Sequence, residues 1–495
     1  NVTVDVGSKI EADSEGCTTD EGPNSSTNVC EDNTTAGEEA SNTGAGGGHG
    51  GNGGTGSQAN SDGGVYHGNI SGPVEFGAGG GSSQGSNGGT GGGVIHITAS
   101  GNLANNGTIS ANGGDGTVTS GTEVGGGGAG GSVYADIGGT LSGSGNFEAT
   151  GGNGADSTWD GGGGSGGIIY IIFDITSIGV AIGSQLDPSG GTGGGIGTAG
   201  DDGSAILKDN TLNDVYFLEG NSYASHARTS GFCSGGTCAF NDFTINSGAM
   251  MKFEYNSGYA DDTSITVADD LTVNGTLNIG HDVTNGYLYS ITVTDDVTVG
   301  AAGAIRSDAE GCGTDVAPNS TTNACEDNSS AGVEHANSGG GGGHGGEGGA
   351  GSQAGSAGGV HHGDILTPVL LGSGGGSSNT TNGGTGGGAV NITVSGDLAN
   401  EGTISANGGA GEGTSGVEVG GGGSGGSVKL VITGTLSGSG DFEVNGGDGG
   451  DNSYDGGGGG GGELSILYGI TAIGVAVEGQ VAALGGSGND VGTAG

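Results

Sequence analysis

Short apolar runs recur along this chain at constant steps. In the stretch 91–163, Ile95, Leu103 and Ile109 are followed 38 residues later by Val133, Leu141 and Phe147. Farther on, Ile265, Val267, Leu271, Val273 and Ile279 return 26 residues later as Ile291, Val293, Val297, Val299 and Ile305. Between those runs lie the polar corners ADD (268–270) and TDD (294–296). Two alternating apolar residues, a polar corner and two more apolar residues read as a short strand, a tight turn and another strand. One such set every 26 or 38 residues predicts a solenoid, each turn burying its apolar side only by stacking on the next. The expected fold is therefore all-β, a parallel β-helix with long Gly-rich loops. Helices are not expected, because glycine interrupts nearly every window long enough for one.

A larger repeat contains the smaller ones. GGGVIHITASGNLANNGTISANGG near residue 91 returns as GGGAVNITVSGDLANEGTISANGG near 386, so Val390 answers Ile95 (390 − 95 = 295). Three regions follow: a first Gly-rich copy at 1–200, a β-rich connecting segment at 201–295 that continues the solenoid, and a second copy at 296–495. The second copy stops part-way through the period, which is what a window on a longer repeat chain would show.

Composition changes the picture in two ways. Gly accounts for 134 residues, close to the fraction in collagen, but there is no Gly-X-Y period and only five Pro, which excludes a collagen helix. Long glycine stretches order only where their backbone amides find partners, since glycine loses the most entropy on folding. Net charge is −48, with six Lys+Arg against 54 Asp+Glu. Nucleic acid and anionic membrane surfaces would be repelled. The longest apolar run, IIYIIFDI at 168–175, is far shorter than the roughly 20 residues that span a bilayer. A secreted protein without its leader fits all of this.

The six cysteines form three local pairs, expected as disulfides: Cys17 with Cys30, Cys233 with Cys238, and Cys312 with Cys325. Zinc is the rival, because His49 and His344 lie downstream, but the pairs lack the CxxC spacing of zinc sites.

The candidate metal ligands are acidic. Around the Cys loops stand Asp13, Glu15, Asp20, Glu31 and Asp32, repeated as Asp308, Glu310, Asp315, Glu326 and Asp327. Calcium takes six to eight oxygens, which two carboxylate clusters drawn together by a disulfide would supply; a solvated acidic loop is the plainer reading. GGxGxD, the start of a calcium-binding nonapeptide, occurs once per copy and ends on Asp156 and Asp451. It lacks the tandem repetition that such sites use. Trp159 and Tyr454, each followed by Asp, read as caps on a Gly-rich loop. His49 with His67, and His344 with His362, are further metal candidates against the plainer reading of backbone hydrogen bonding. Among the N-x-S/T sequons, Asn24, Asn33, Asn319 and Asn328 recur beside the Cys loops and are the best glycosylation candidates.

The segments GGGVIHITASGNLANNGTISANGG and GGGGSGGSVKLVITGTLSGSGDFEVNGG resemble the glycine-rich parallel β-helix repeats of large secreted adhesins and extracellular fibre proteins. The resemblance covers 91–182 and 386–477 and implies an extracellular, elongated, non-catalytic protein. Its partners would be copies of itself, end to end, and surface glycans, with calcium the one ligand foreseen. The alternatives are a polysaccharide-degrading β-helix enzyme and a carbohydrate-binding surface. The enzyme requires a basic residue or catalytic carboxylates one turn apart; of the six basic residues only Lys9 and Arg306 sit near equivalent positions, and no such carboxylate set is read from the sequence.

Overall fold

The computed structural model describes residues 1–495 except 25–27, 33, 119–121, 176–184, 224–232, 235–236, 254–263, 321, 328, 414–417, 472–478 and 489–491. Among the described residues there is no α-helix; the chain is all-β, and most strand pairs are parallel. It divides into two compact units, Asn1–Phe232 with Thr244–Met251, and Cys233–Phe243 with Lys252–Gly495.

Each unit carries three parallel ladders. In the first unit, Val94–Ala99, Ser132–Ser142, Ile168–Ile175 and Ser204–Asp209 lie side by side. Val2–Val4, Leu103–Asn105 and the end of Ser132–Ser142 make a second ladder. Lys9–Glu11, Thr108–Ser110, Asn146–Glu148 and Leu186–Asp187 make the third. The second unit repeats the plan. Its first ladder runs through Thr237–Phe240, Ser264–Val267, Ser290–Val293, Ala389–Val394, Ser427–Ser437 and Glu463–Thr471.

The registers follow the spacing of apolar residues. Ile95 pairs with Val133, Leu103 with Leu141 and Ile109 with Phe147, which is the 38-residue step. Ile265 pairs with Ile291 and Leu271 with Val297, which is the 26-residue step. These side chains stack inward and are almost fully buried. Each large one contributes about 1.5–3 kcal/mol by leaving water. A one-residue slip would turn the whole apolar set outward, so the register is strongly determined. One pairing departs from the spacing: Ile305 lies beside Leu277, not Ile279. The turn Gly300–Gly303 is two residues longer than Asn274–Gly275 and absorbs the difference.

The glycine-rich stretches are not loops hung on these ladders. Residues 125–131 donate in three directions, in rotation. Gly125, Gly128 and Gly131 donate to the carbonyls of Thr117, Gly114 and Ala111; Gly126 and Ala129 to Gly81 and Ala78; Gly127 and Gly130 to Gly162 and Ser165. The same segment accepts from Gly44 and Gly47 at Val124 and Gly127, from Gly89 and Gly92 at Gly126 and Ala129, and from Gly152 and Ala155 at Gly128 and Gly125. A partner every third residue is the periodicity of a polyproline-II path, here with six neighbouring segments around a central one. Residues 420–426 reproduce the donor pattern at the 295-residue offset, from Gly420 on Glu412 to Gly426 on Ala406. Directly after these segments the chain enters the strands Ser132–Ser142 and Ser427–Ser437, so ladder and lattice form one hydrogen-bonded body.

Only glycine fits at most of these positions. A Cβ on Gly126, Gly127 or Gly128 would press into the carbonyl oxygen of Ala45, Gly152 or Thr90. The close approach lets every amide bond to a neighbour, and an unmade buried bond would cost about 1–3 kcal/mol. Gly128→Ala is therefore expected to lose about 3 kcal/mol or more. Gly313→Ala, where a Cβ meets nothing within 4 Å, should stay within about 0.5 kcal/mol. Denaturant unfolding of both variants measures the contrast; similar losses would contradict the lattice.

Candidate functional site

Tight corners join the ladders, and each leaves an amide that a side chain of the preceding corner satisfies. Aspartate does this in the second unit. Asp242 Oδ1 accepts from Asp270 N–H at 3.0 Å, Asp270 Oδ1 from Asp296 N–H at 3.1 Å, Asp296 Oδ1 from Asp397 N–H at 2.7 Å, and Asp397 Oδ1 from Thr435 N–H at 2.6 Å. In the first unit the same corner uses neutral amides: Asn1 Oδ1 takes Asn102 N–H at 2.8 Å and Asn102 Oδ1 takes Thr140 N–H at 3.0 Å. The ladder thus needs an oxygen, not a charge.

The charge has a different consequence. One carboxylate oxygen each from Asp242, Asp269 and Asp270 lies within 4.8 Å of the others, and Asp270, Asp295 and Asp296 form a second such group. Carboxylates this close repel, and a hard cation taking oxygen ligands at 2.3–2.6 Å would relieve them. Asp270 belongs to both groups. The sequence displayed these residues as ADD and TDD one turn apart. They read there only as polar corners, although a repeated acidic pair at the period of one turn is itself the signal.

The acidic residues singled out from the sequence are placed elsewhere. Asp13 accepts from Asn112 N–H at 2.8 Å and from the Ser110 hydroxyl at 3.0 Å, and Asp308 does the same with Asn407 and Ser405. Asp20 accepts from Ser82 N–H at 2.6 Å, and Asp315 from Ser377 N–H at 2.7 Å. Glu310 pairs with Lys252 at 2.9 Å, and Glu326 accepts from Asn319 at 3.3 Å. Glu15 and Glu31 are exposed. Asp32 and Asp327 sit in short hairpins opposite Gly22 and Ala317, with side chains outside the described set. Asp156 and Asp451, of GGxGxD, are exposed and each bridge by backbone to an aspartate four residues on, Asp160 and Asp455. None of the ten whose side chains are described is in a group of three or more converging ligand atoms among the described residues.

Cys17–Cys30 and Cys312–Cys325 are disulfides, which removes these thiols from any zinc site. Cys238 is disulfide-bonded too, and Cys233 is its partner across a hairpin in backbone register; the Cys233 side chain lies outside the described set. Among the described residues no cysteine is free. Asn24 and Asn319 are half-buried beside the loops, while Asn33 and Asn328 lie outside the described residues.

The histidines do meet. His49 lies 4.7 Å from His67 and His344 lies 4.6 Å from His362, ring centre to ring centre. His49 Nδ1 donates to the Gly130 carbonyl and His344 Nδ1 to that of Gly425, each at 2.8 Å. Both rings are wholly buried in the lattice, and burial pushes their pKa down, to about 4 for His49 and about 3 for His344. They are neutral spacers at ordinary pH. The copies differ beside them: Ile168 in the first stands where Glu463 stands in the second. Glu463 Oε2 is 3.9 Å from His344 Nε2, beyond hydrogen-bond reach, and neither atom has another hydrogen-bond partner.

No protein-family model, curated protein or solved structure matches the chain. Among the described residues no helix is long and apolar enough to cross a membrane.

Two expectations follow. Burial, with Asp364 adding repulsion, raises the Glu463 pKa to about 6 from 4.5. The folded state thus holds this proton more tightly than the unfolded state. Stability from the protonated form is full below pH 4.5 and is lost as pH rises through about 6. Glu463→Ile, the first copy's residue, should add about 1–2 kcal/mol at pH 7.5 and less at pH 4.5, read by thermal unfolding at both pH values. A gain independent of pH would reject burial of the carboxylate as the cause. Separately, a calcium-holding aspartate corner predicts a larger melting-temperature rise with calcium than with sodium at equal ionic strength. Asp270→Asn, which keeps the ladder acceptor, should shrink that difference. Equal shifts with both salts would mean screening alone.

Proposed function

We propose that the chain is an extracellular structural and adhesive protein, non-catalytic, whose turns wind as a parallel β-helix and stack end to end into a fibre. The observation that carries this is the register. In each unit three parallel ladders advance together, and both units use the same sequence plan 295 residues apart. Such a body lengthens by adding turns without changing its cross-section. Its disulfides suit an oxidising compartment, and its acidic surface keeps like molecules soluble until specific contacts form.

A head-to-tail contact between copies is heterologous and does not close, so it builds filaments rather than rings. Electron microscopy of the native protein tests this. Unbranched rods longer than one chain, with turns about 4.8 Å apart along the axis, are expected. Discrete particles at high concentration would overturn the reading.

A further inference from the structure

The lattice does more than fill space: it sets the turn tips that emerge from it. In the first unit four of these tips surround an open cleft of ≈ 750 Å³, lined by Glu39, Ser41, Gln58, Asn60, Gln84 and Trp159 among others. Trp159 is the one tryptophan of the chain, is half-buried and lines the cleft.

The walls are held from behind. The tip bearing Trp159 is tied down by the next residue: Asp160 N–H donates to Ser57 Oγ, and Ser57 N–H donates to the Asp160 carbonyl, both at 2.9 Å. Asp160 Oδ2 also accepts from Ile196 N–H at 3.0 Å. Gln58 Oε1 takes Asn42 N–H at 3.1 Å, which orients that amide. The second copy keeps the same frame, with Ser352 and Asp455 exchanging two bonds at 2.8 Å. At the 295-residue offset it keeps four of the six named lining residues in kind, Tyr454 for Trp159, Gln353 for Gln58, Asn379 for Gln84 and Glu334 for Glu39, and loses two polar groups, with Ala336 for Ser41 and Gly355 for Asn60.

We propose that this cleft binds a neutral oligosaccharide. Three features select that class. The half-buried aromatic ring offers a flat apolar face of the kind that packs against the C–H side of a sugar. Around it stand amides and a carboxylate, which bond paired hydroxyls through donors and acceptors at once. Among the described residues the lining includes no Lys, Arg or His, and the protein is strongly acidic, which disfavours phosphate, sulfate and uronate ligands. An apolar ligand would leave the amides and carboxylate unpaired, at a loss of affinity. The volume is within the range of ordinary small-molecule sites. The proposal goes beyond the fibre reading by naming what the surface recognises, and it concerns a single chain, so it stands or falls whether or not fibres form.

Because Trp159 is the one tryptophan, its fluorescence reports this cleft alone. The test titrates the full chain with a panel of neutral oligosaccharides of three to six units, built from glucose, mannose, galactose or N-acetylglucosamine. A saturable emission change with at least one member is expected, and none with an oligogalacturonate. Gln84→Ala, at an exposed turn, should weaken binding about fivefold. Trp159→Tyr, the second copy's solution, should retain binding in calorimetry, and Trp159→Ala should lose it with an unchanged circular dichroism spectrum. No saturable change with any neutral member at millimolar concentration, or equal binding by Trp159→Ala, would overturn the proposal.

Discussion

Backbone hydrogen bonds between closely packed glycine segments hold this fold together, and every other feature is built on them. Chains approach so nearly that a Cβ on Gly126, Gly127 or Gly128 would enter a neighbouring carbonyl oxygen. That approach gives residues 125–131 partners on six sides without a sheet. Glycine carries the largest ordering entropy of any residue, and each bond contributes only about 1 kcal/mol net. Stability therefore rests on nearly complete pairing, and on the apolar ladders that continue directly from the lattice at Ser132 and Ser427.

The high acidity has a structural side that composition conceals. Asp13, Asp20, Asp270, Asp308 and Asp397 each accept a backbone N–H from an adjacent segment. A short acidic side chain at a corner reaches the orphan amide of the next turn, as the Asn102 amide does in the first unit. The second unit places more carboxylates at its corner than amide pairing requires, which concentrates charge there. Extreme net charge and an ordered fold are compatible because many of the charges are tied to N–H dipoles.

The two copies share a frame and differ in what it displays. His49 and His344 make the same bond to a lattice carbonyl, yet one lies near Ser132 and the other near the buried Glu463. Trp159 and Tyr454 precede aspartates, Asp160 and Asp455, that lock their turns in the same way. Variation at tips above a rigid body lets a repeat protein change its surface without disturbing its core.

Strands, their registers and the covalent closures were legible in the chain before any fold was known. Ile95 above Val133 and Ile265 above Ile291 followed from spacing, because period-two alternation and a constant turn length leave one way to bury the apolar set. Cys17–Cys30 and Cys312–Cys325 followed from short local loops. The two-residue offset at Ile305 was hidden, since Leu277 and Ile279 are both apolar and only the turn length chooses between them. The glycine lattice was beyond reach of pattern reading: residues without side chains carry no periodicity, and their partners lie far away in sequence, as Gly127 and Gly162 show. The same holds for the cleft at Trp159, made by segments that meet only when the backbone amides of the lattice have found their acceptors. The aspartate corners did leave a trace, the acidic pairs 269–270 and 295–296 one 26-residue step apart, but only the stacked ladders show that their carboxylates converge.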